Sequence, residues 1–228
     1  MRGRLRLAAW IALGTHFIAG AAMAILLRPG LETEPDLASR MEYVTEHGAA
    51  WVGGWLCWTV AALSIIYFYT TFALAYRSEG GIRATLLRIA IGLGIVAVTA
   101  DILAQTIEIG ILPELARARA DLEFLLMHRR AVLLTGYLAN GLYTISAILL
   151  ASTTRRFYPS WVWLAGTFGV GVSGVGLSVA ALIDSVAGMV TANALLVPAI
   201  LCWLVGVATK TEAPDRLETP AHGPLRVS

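Results

Sequence analysis

The chain has 228 residues, 57% of them hydrophobic and 14% charged, with a mean hydropathy of +0.72. A soluble domain usually carries roughly 25% charged residues, so this composition excludes an ordinary water-soluble fold and points to one membrane-embedded bundle. The formal charge of +2, with no basic patch interleaved with aromatics, gives no footprint of a nucleic-acid partner.

A hydrocarbon core of about 30 Å needs about 20 apolar residues as helix. The first stretch of that kind is Leu7–Leu27, preceded by Arg2, Arg4 and Arg6. Its end, Ala22-Met23-Ala24, also reads as a signal-peptide cleavage site. The run is longer than a usual signal core and is interrupted by His16, so retention as a first transmembrane helix is the expectation. Pro35-Asp36 then opens a helical pattern through Met41 and Val44 towards Trp51, with proline early, as helices prefer. The second and third stretches are Ala49–Tyr76 and Leu86–Leu112. Pro113-Glu114 opens an amphipathic pattern in which Leu115, Leu122, Phe124 and Leu125 alternate with Arg117, Arg119, Asp121 and Glu123. That pattern reads either as a surface helix or as an extension of the fourth stretch, Ala131–Ser152. Trp161–Ile183 and Gly188–Ala208 complete six.

These runs are continuous, whereas spanning β-strands would alternate, and helices satisfy every backbone N–H and C=O within lipid. The expected fold is therefore all-α, a polytopic bundle of six transmembrane helices over residues 1–210. Residues 211–228, with Pro214, Pro220, Pro224 and several charges, are expected as a disordered cytoplasmic tail. With a cytoplasmic N-terminus, eleven basic residues fall on the cytoplasmic side and six on the other, which favours cytoplasmic ends and a multi-pass protein of the cytoplasmic membrane. Trp51, Tyr76, Tyr158 and Trp161 stand where interfacial anchors belong.

The fifth stretch is rich in glycine. Ala165, Gly169 and Ser173 recur at four-residue spacing and form a small-residue stripe that lets helices approach closely, within the chain or as a homodimer contact. Cys57 and Cys202 fall inside apolar stretches on opposite sides of the midplane, and read as small buried residues rather than a disulfide or a metal pair.

Polar groups inside the membrane carry the functional signal, because a charge at the bilayer centre costs on the order of 2.5–3.5 kcal/mol and needs an offsetting role. Asp101, Gln105 and Glu108, spaced by four and three residues, share one face of the third helix. His16, Tyr137, Asn140 and Asn193 lie at comparable depth. Together these seven residues outline a polar site open to the outside. Carboxylate, imidazole and amide groups suit a small solute, a cation or a proton. No cofactor is expected. A metal ion is the alternative, with His16 and Asp101 as its candidate ligands, but no His-x-x-x-His, Cys-x-x-Cys or His-Glu-x-x-His pattern occurs. No Gly-x-Ser-x-Gly or phosphate-cradling loop occurs either. The only lysine, Lys210, lies beyond the last apolar stretch, so retinal-type Schiff-base chemistry is excluded.

Two short motifs carry a family resemblance. The acidic third helix ending in Leu112-Pro113, and Arg155-Arg156-Phe157-Tyr158-Pro159-Ser160-Trp161 before the fifth helix, resemble a group of bacterial six-helix membrane proteins known only as a domain of unknown function. The resemblance implies the fold and the membrane location and supplies no catalytic residues. The leading expectation is a binding or transport protein. An intramembrane metal-dependent enzyme and a non-catalytic accessory subunit are the alternatives.

Overall fold

The structure is a computed structural model that describes residues 2–77 and 81–211. The disorder expected of the tail beyond Thr211 lies outside the described residues. Among them there is no β-strand, and six helices are long and apolar enough to cross a membrane. They are α1 (Arg2–Gly30), α3 (Gly48–Ala75), α4 (Gly81–Arg117), α5 (Asp121–Thr153), α6 (Ser160–Leu182) and α7 (Val186–Lys210), with a short α2 (Leu37–Glu46) between the first two. All six expected spans are present, so the chain is a multi-pass membrane protein.

Each spanning helix packs on its neighbour in the chain, and α7 closes back on α1. The result is a ring in the order α1, α3, α4, α5, α6, α7. Its outer surface carries large apolar side chains such as Phe17, Ile25, Val60, Val96, Phe168 and Val172, all more than half exposed in the isolated chain. The helix contacts inside use small residues, including Ala8, Ala61, Ala97, Ala147 and Ala181. This distribution suits a protein whose solvent is lipid, where close backbone approach replaces hydrophobic sequestration as the source of cohesion. Towards the end that carries Arg2 and Lys210, the ring is filled by an aromatic cluster. Trp203 of α7 packs edge-on against Phe68 of α3, with ring centroids 5.4 Å apart, and Phe72 stacks on Tyr158. The Tyr76 hydroxyl donates to that of Tyr158 at 2.7 Å.

The glycines of α6 serve internal packing. A Cβ at Gly169 would lie 3.1 Å from Ala199 of α7, and one at Gly174 would lie 2.0 Å from the Thr144 hydroxyl of α5. The side of the stripe holding Gly169 is thus occupied by the chain itself. Cys202, expected to be buried, is exposed on the outside of the ring, and both cysteines are free thiols.

At the opposite end α4 and α5 overshoot the bilayer. They contain 37 and 33 residues, roughly 50–55 Å of helix against a core of about 30 Å. The pattern opened by Pro113 resolves as extensions of both helices, joined by a tight turn at Arg119, whose φ is 53°. This hairpin packs against α2, and the three ends enclose a second apolar core of Leu27, Met41, Val44, Trp51, Leu112 and Phe124. We call this unit the cap. Asp36 caps α2 by accepting from the Ser39 hydroxyl at 2.6 Å and from the Ser39 backbone N–H at 2.9 Å, which together hold the Asp36 carboxyl below its ordinary range. Gly30 lies where a Cβ would strike the Trp51 indole at 2.5 Å, so only glycine lets the chain turn across that ring into the cap. On the far side of the ring Arg129 of α5 donates to the Ala181 and Leu182 carbonyls that end α6 and pairs with Asp184 at 2.9 Å.

Candidate functional site

The polar face of α4 is buried along its length, with Asp101 7%, Gln105 3% and Glu108 1% exposed. Its three residues reach three different neighbours. Asp101 accepts from the Thr135 hydroxyl of α5 at 2.5 Å. Gln105, one turn further towards the cap, accepts from the Thr59 hydroxyl of α3 at 2.5 Å. Glu108 lies beneath the cap, where its carboxylate meets His128.

Local helix geometry explains how Glu108 is held. Residues Ile107–Ile111 form a π-turn, in which the Leu112 N–H bonds to the Ile107 carbonyl rather than to that of Glu108. The next residue is Pro113, which has no N–H to offer. The Glu108 carbonyl is therefore left without a partner in its own helix. The Trp51 indole of α3 fills the gap, donating to it at 2.7 Å. Thr135, the partner of Asp101, also sits in a π-turn, at Leu133–Ala139 of α5. Such turns concentrate at functional positions of helices.

Around the Glu108 side chain stand three groups from three elements. His128 Nε2, from the cap end of α5, is 3.9 Å from Glu108 Oε1 and 3.2 Å from Glu32 Oε1 in the segment entering α2. Arg40 of α2 is 2.9 Å from His128 Nδ1 through its Nη2 and donates to the Gly30 carbonyl through Nε. A guanidinium only donates, so Nδ1 must be the accepting nitrogen. In the neutral ring this places the proton on Nε2, directed at the two glutamates. Glu108 and His128 are almost completely buried, whereas the Glu32 side chain is 23% exposed and forms the connection to solvent. Among the described residues neither Glu108 Oε2 nor His128 Nε2 has a hydrogen-bond partner in good geometry.

With that ring neutral and both carboxylates ionised, one guanidinium faces two carboxylates, a net charge of minus one in a buried site. Burial pushes the Glu32 carboxyl up, but the His128 imidazole, its own backbone and Arg40 together bring it below the ordinary carboxylate range. Burial pulls the Arg40 guanidinium down, and Glu32, Glu108 and Glu34 hold it up in part. Glu32 is thus the carboxylate kept ionised, and Glu108 is the one left with an uncompensated oxygen.

The remaining sequence-derived residues lie elsewhere. His16 bonds through Nδ1 to the Ala12 carbonyl of its own helix at 2.8 Å, and α1 packs on α3 and α7 rather than on α4. Asn140 ties α5 to α6 by donating to the Gly174 carbonyl at 2.7 Å and the Ser178 hydroxyl at 2.9 Å. Tyr137 and Asn193 are on the exposed surface of the ring. The seven residues therefore do not line one cavity. Asp101, Gln105 and Glu108 share a face, as their spacing requires, and the others do not join it.

Glu32, Arg40 and His128 were not among the expected site residues, although a signal for two of them exists. His128 continues the buried face set by Phe124 and Val132 at four-residue intervals, and Arg40 adjoins Met41 and Val44 on the inner face of α2. A charged residue on an apolar helical face marks a buried polar contact. Among the described residues no three His, Cys, Asp or Glu side chains are grouped as a metal ion would need. Comparison with protein-family models, with curated proteins and with solved structures gives no match for this chain.

Proposed function

We propose that this chain is a proton-binding protein of the cytoplasmic membrane, with both termini cytoplasmic and the cap outside, and that a small cation can take the place of the proton. The observation that carries this reading is the buried Glu108 Oε2, without a hydrogen-bond partner among the described residues, in a site that holds a second carboxylate, Glu32. Desolvation penalises such a charge by several kcal/mol, and one proton or one monovalent cation removes the penalty. Glu32 offers the way in from solvent, His128 bridges it to Glu108, and Gln105 and Asp101 continue the polar line along α4 towards the middle of the bilayer. Beyond Asp101 the aromatic cluster closes the ring. The arrangement is that of a half-pathway with a deep acceptor, the form expected of a binding or transport protein in one of its states. The excess of arginine at the end bearing the termini supports the orientation.

Glu108→Gln tests the reading, since the amide keeps the shape and removes the charge. Thermal unfolding of the detergent-solubilised chain is expected to shift upward between about pH 8 and about pH 5 in the wild type, as the deep carboxylate takes its proton. The variant is expected to unfold near the protonated wild-type temperature at both values. A pH response equal in the two proteins sinks the proposal.

A further inference from the structure

The end of the bundle opposite the cap holds a second concentration of charge, and among the described residues it is basic. Every charged residue described there is a cation: Arg2, Arg4 and Arg6 open α1, Arg77 follows α3, Arg83 and Arg88 lie early in α4, Arg155 and Arg156 precede α6, and Lys210 ends α7. Two of these side chains are drawn together. The guanidinium of Arg83 lies 4.6 Å from the centroid of the Phe157 ring, and that of Arg156 lies 4.8 Å from the same centroid. A ring quadrupole attracts each cation but does not remove their mutual repulsion.

Arg83 is held in spite of that repulsion and of a second one. It sits in the first turn of α4, where the helix dipole disfavours a cation. Its Nε and Nη2 atoms are shielded from water, and neither has a hydrogen-bond partner among the described residues. Nε and Nη2 share one edge of the guanidinium, the fork that matches two oxygens of a phosphate group, and Arg83 as a whole is only partly buried. Tyr76 packs on Phe157, with ring centroids 4.9 Å apart, so the fork stands where the aromatic cluster inside the ring meets the end of the bundle.

We infer that Arg83 and Arg156, clamped on Phe157, form a binding site for a phosphate oxyanion at the membrane surface, with the headgroup of an anionic phospholipid as the occupant. The apolar outside of the ring next to α4, exposed at Ile82 and Ile89, continues from the site and suits the acyl chains. Lipid at this position would brace the start of α4, the helix that carries the polar face.

The test is binding of a short-chain phosphatidylglycerol to the full chain in a neutral detergent, followed by calorimetry. Short-chain phosphatidylcholine and inorganic phosphate serve as the other two probes. Saturable binding of phosphatidylglycerol is expected, at least about tenfold tighter than phosphatidylcholine, with inorganic phosphate unable to displace it at equal concentration. Loss of one charge-assisted pair in Arg83→Gln is expected to weaken binding by about tenfold or more, and Arg83→Lys is expected to recover only part of it. Displacement by inorganic phosphate at equal concentration would assign the site to free phosphate and overturn the lipid assignment. Unchanged affinity in both Arg83→Gln and Arg156→Gln, with helix content intact by circular dichroism, would overturn the site itself.

Discussion

Glu108 takes part in two separate bonding problems, one through its carbonyl and one through its carboxylate. The carbonyl is orphaned by Pro113 and satisfied by Trp51, while the carboxylate is orphaned by its surroundings and left with a free oxygen. The spacing of Asp101, Gln105 and Glu108 made their shared face legible in the sequence. Their partners were not legible in the same way, because Glu32, Arg40 and His128 come from distant stretches and meet only once α2 folds over the hairpin. A second consequence concerns Glu32. Its carboxyl is held below the ordinary range, so the stability it contributes is complete above its unfolded value of about 4.3 and is lost as the pH falls through its lower folded value. The fluorescence of Trp51 and Trp55 in the cap is therefore expected to change on acidification below about pH 4, and Glu32→Gln is expected to remove that step. An identical acid transition in the variant would remove Glu32 from the account.

Among the elements, α4 and α5 depart furthest from a simple spanning helix. Hydropathy locates the part of each that lies in lipid, but it does not see the continuation into the cap, because those turns are amphipathic and carry Arg117, Asp121 and Glu123. The π-turns were likewise invisible, except that Pro113 announces a break in the ladder of backbone bonds. The glycines of α6 were legible as a packing device, and the structure assigns them to contacts within the chain. Gly174→Ala is expected to cost about 1–3 kcal/mol, since the new methyl would lie 2.0 Å from the Thr144 hydroxyl. Gly92→Ala, where nothing lies within 4 Å, is expected to be neutral or slightly stabilising. Unfolding in detergent with a graded denaturant compares the two, and equal stability would show that the α5–α6 contact is looser than described.

For the whole molecule, six sequential helices form a closed ring that is plugged by aromatics at one end and roofed by the cap at the other. Among the described residues the two ends carry charge of opposite sign. The cap buries the Glu108 carboxylate near Glu32, and the end with Arg2 and Lys210 brings Arg83 and Arg156 onto Phe157. Membrane insertion and helix count were readable from composition and length alone, because the bilayer sets both. The closure of α7 on α1 and the folding of α2 over Glu108 depend on contacts between residues far apart in the chain, and no local pattern encodes them. The account rests on Glu108 as the deep acceptor. Infrared difference spectroscopy of the intact chain between about pH 8 and about pH 5 observes that group directly, through the C=O stretch of a protonated carboxyl. A band that appears on acidification in the wild type and loses its Glu108 component in Glu108→Gln, leaving only what Asp101 contributes, is the predicted result; a band of undiminished size in the variant would contradict it.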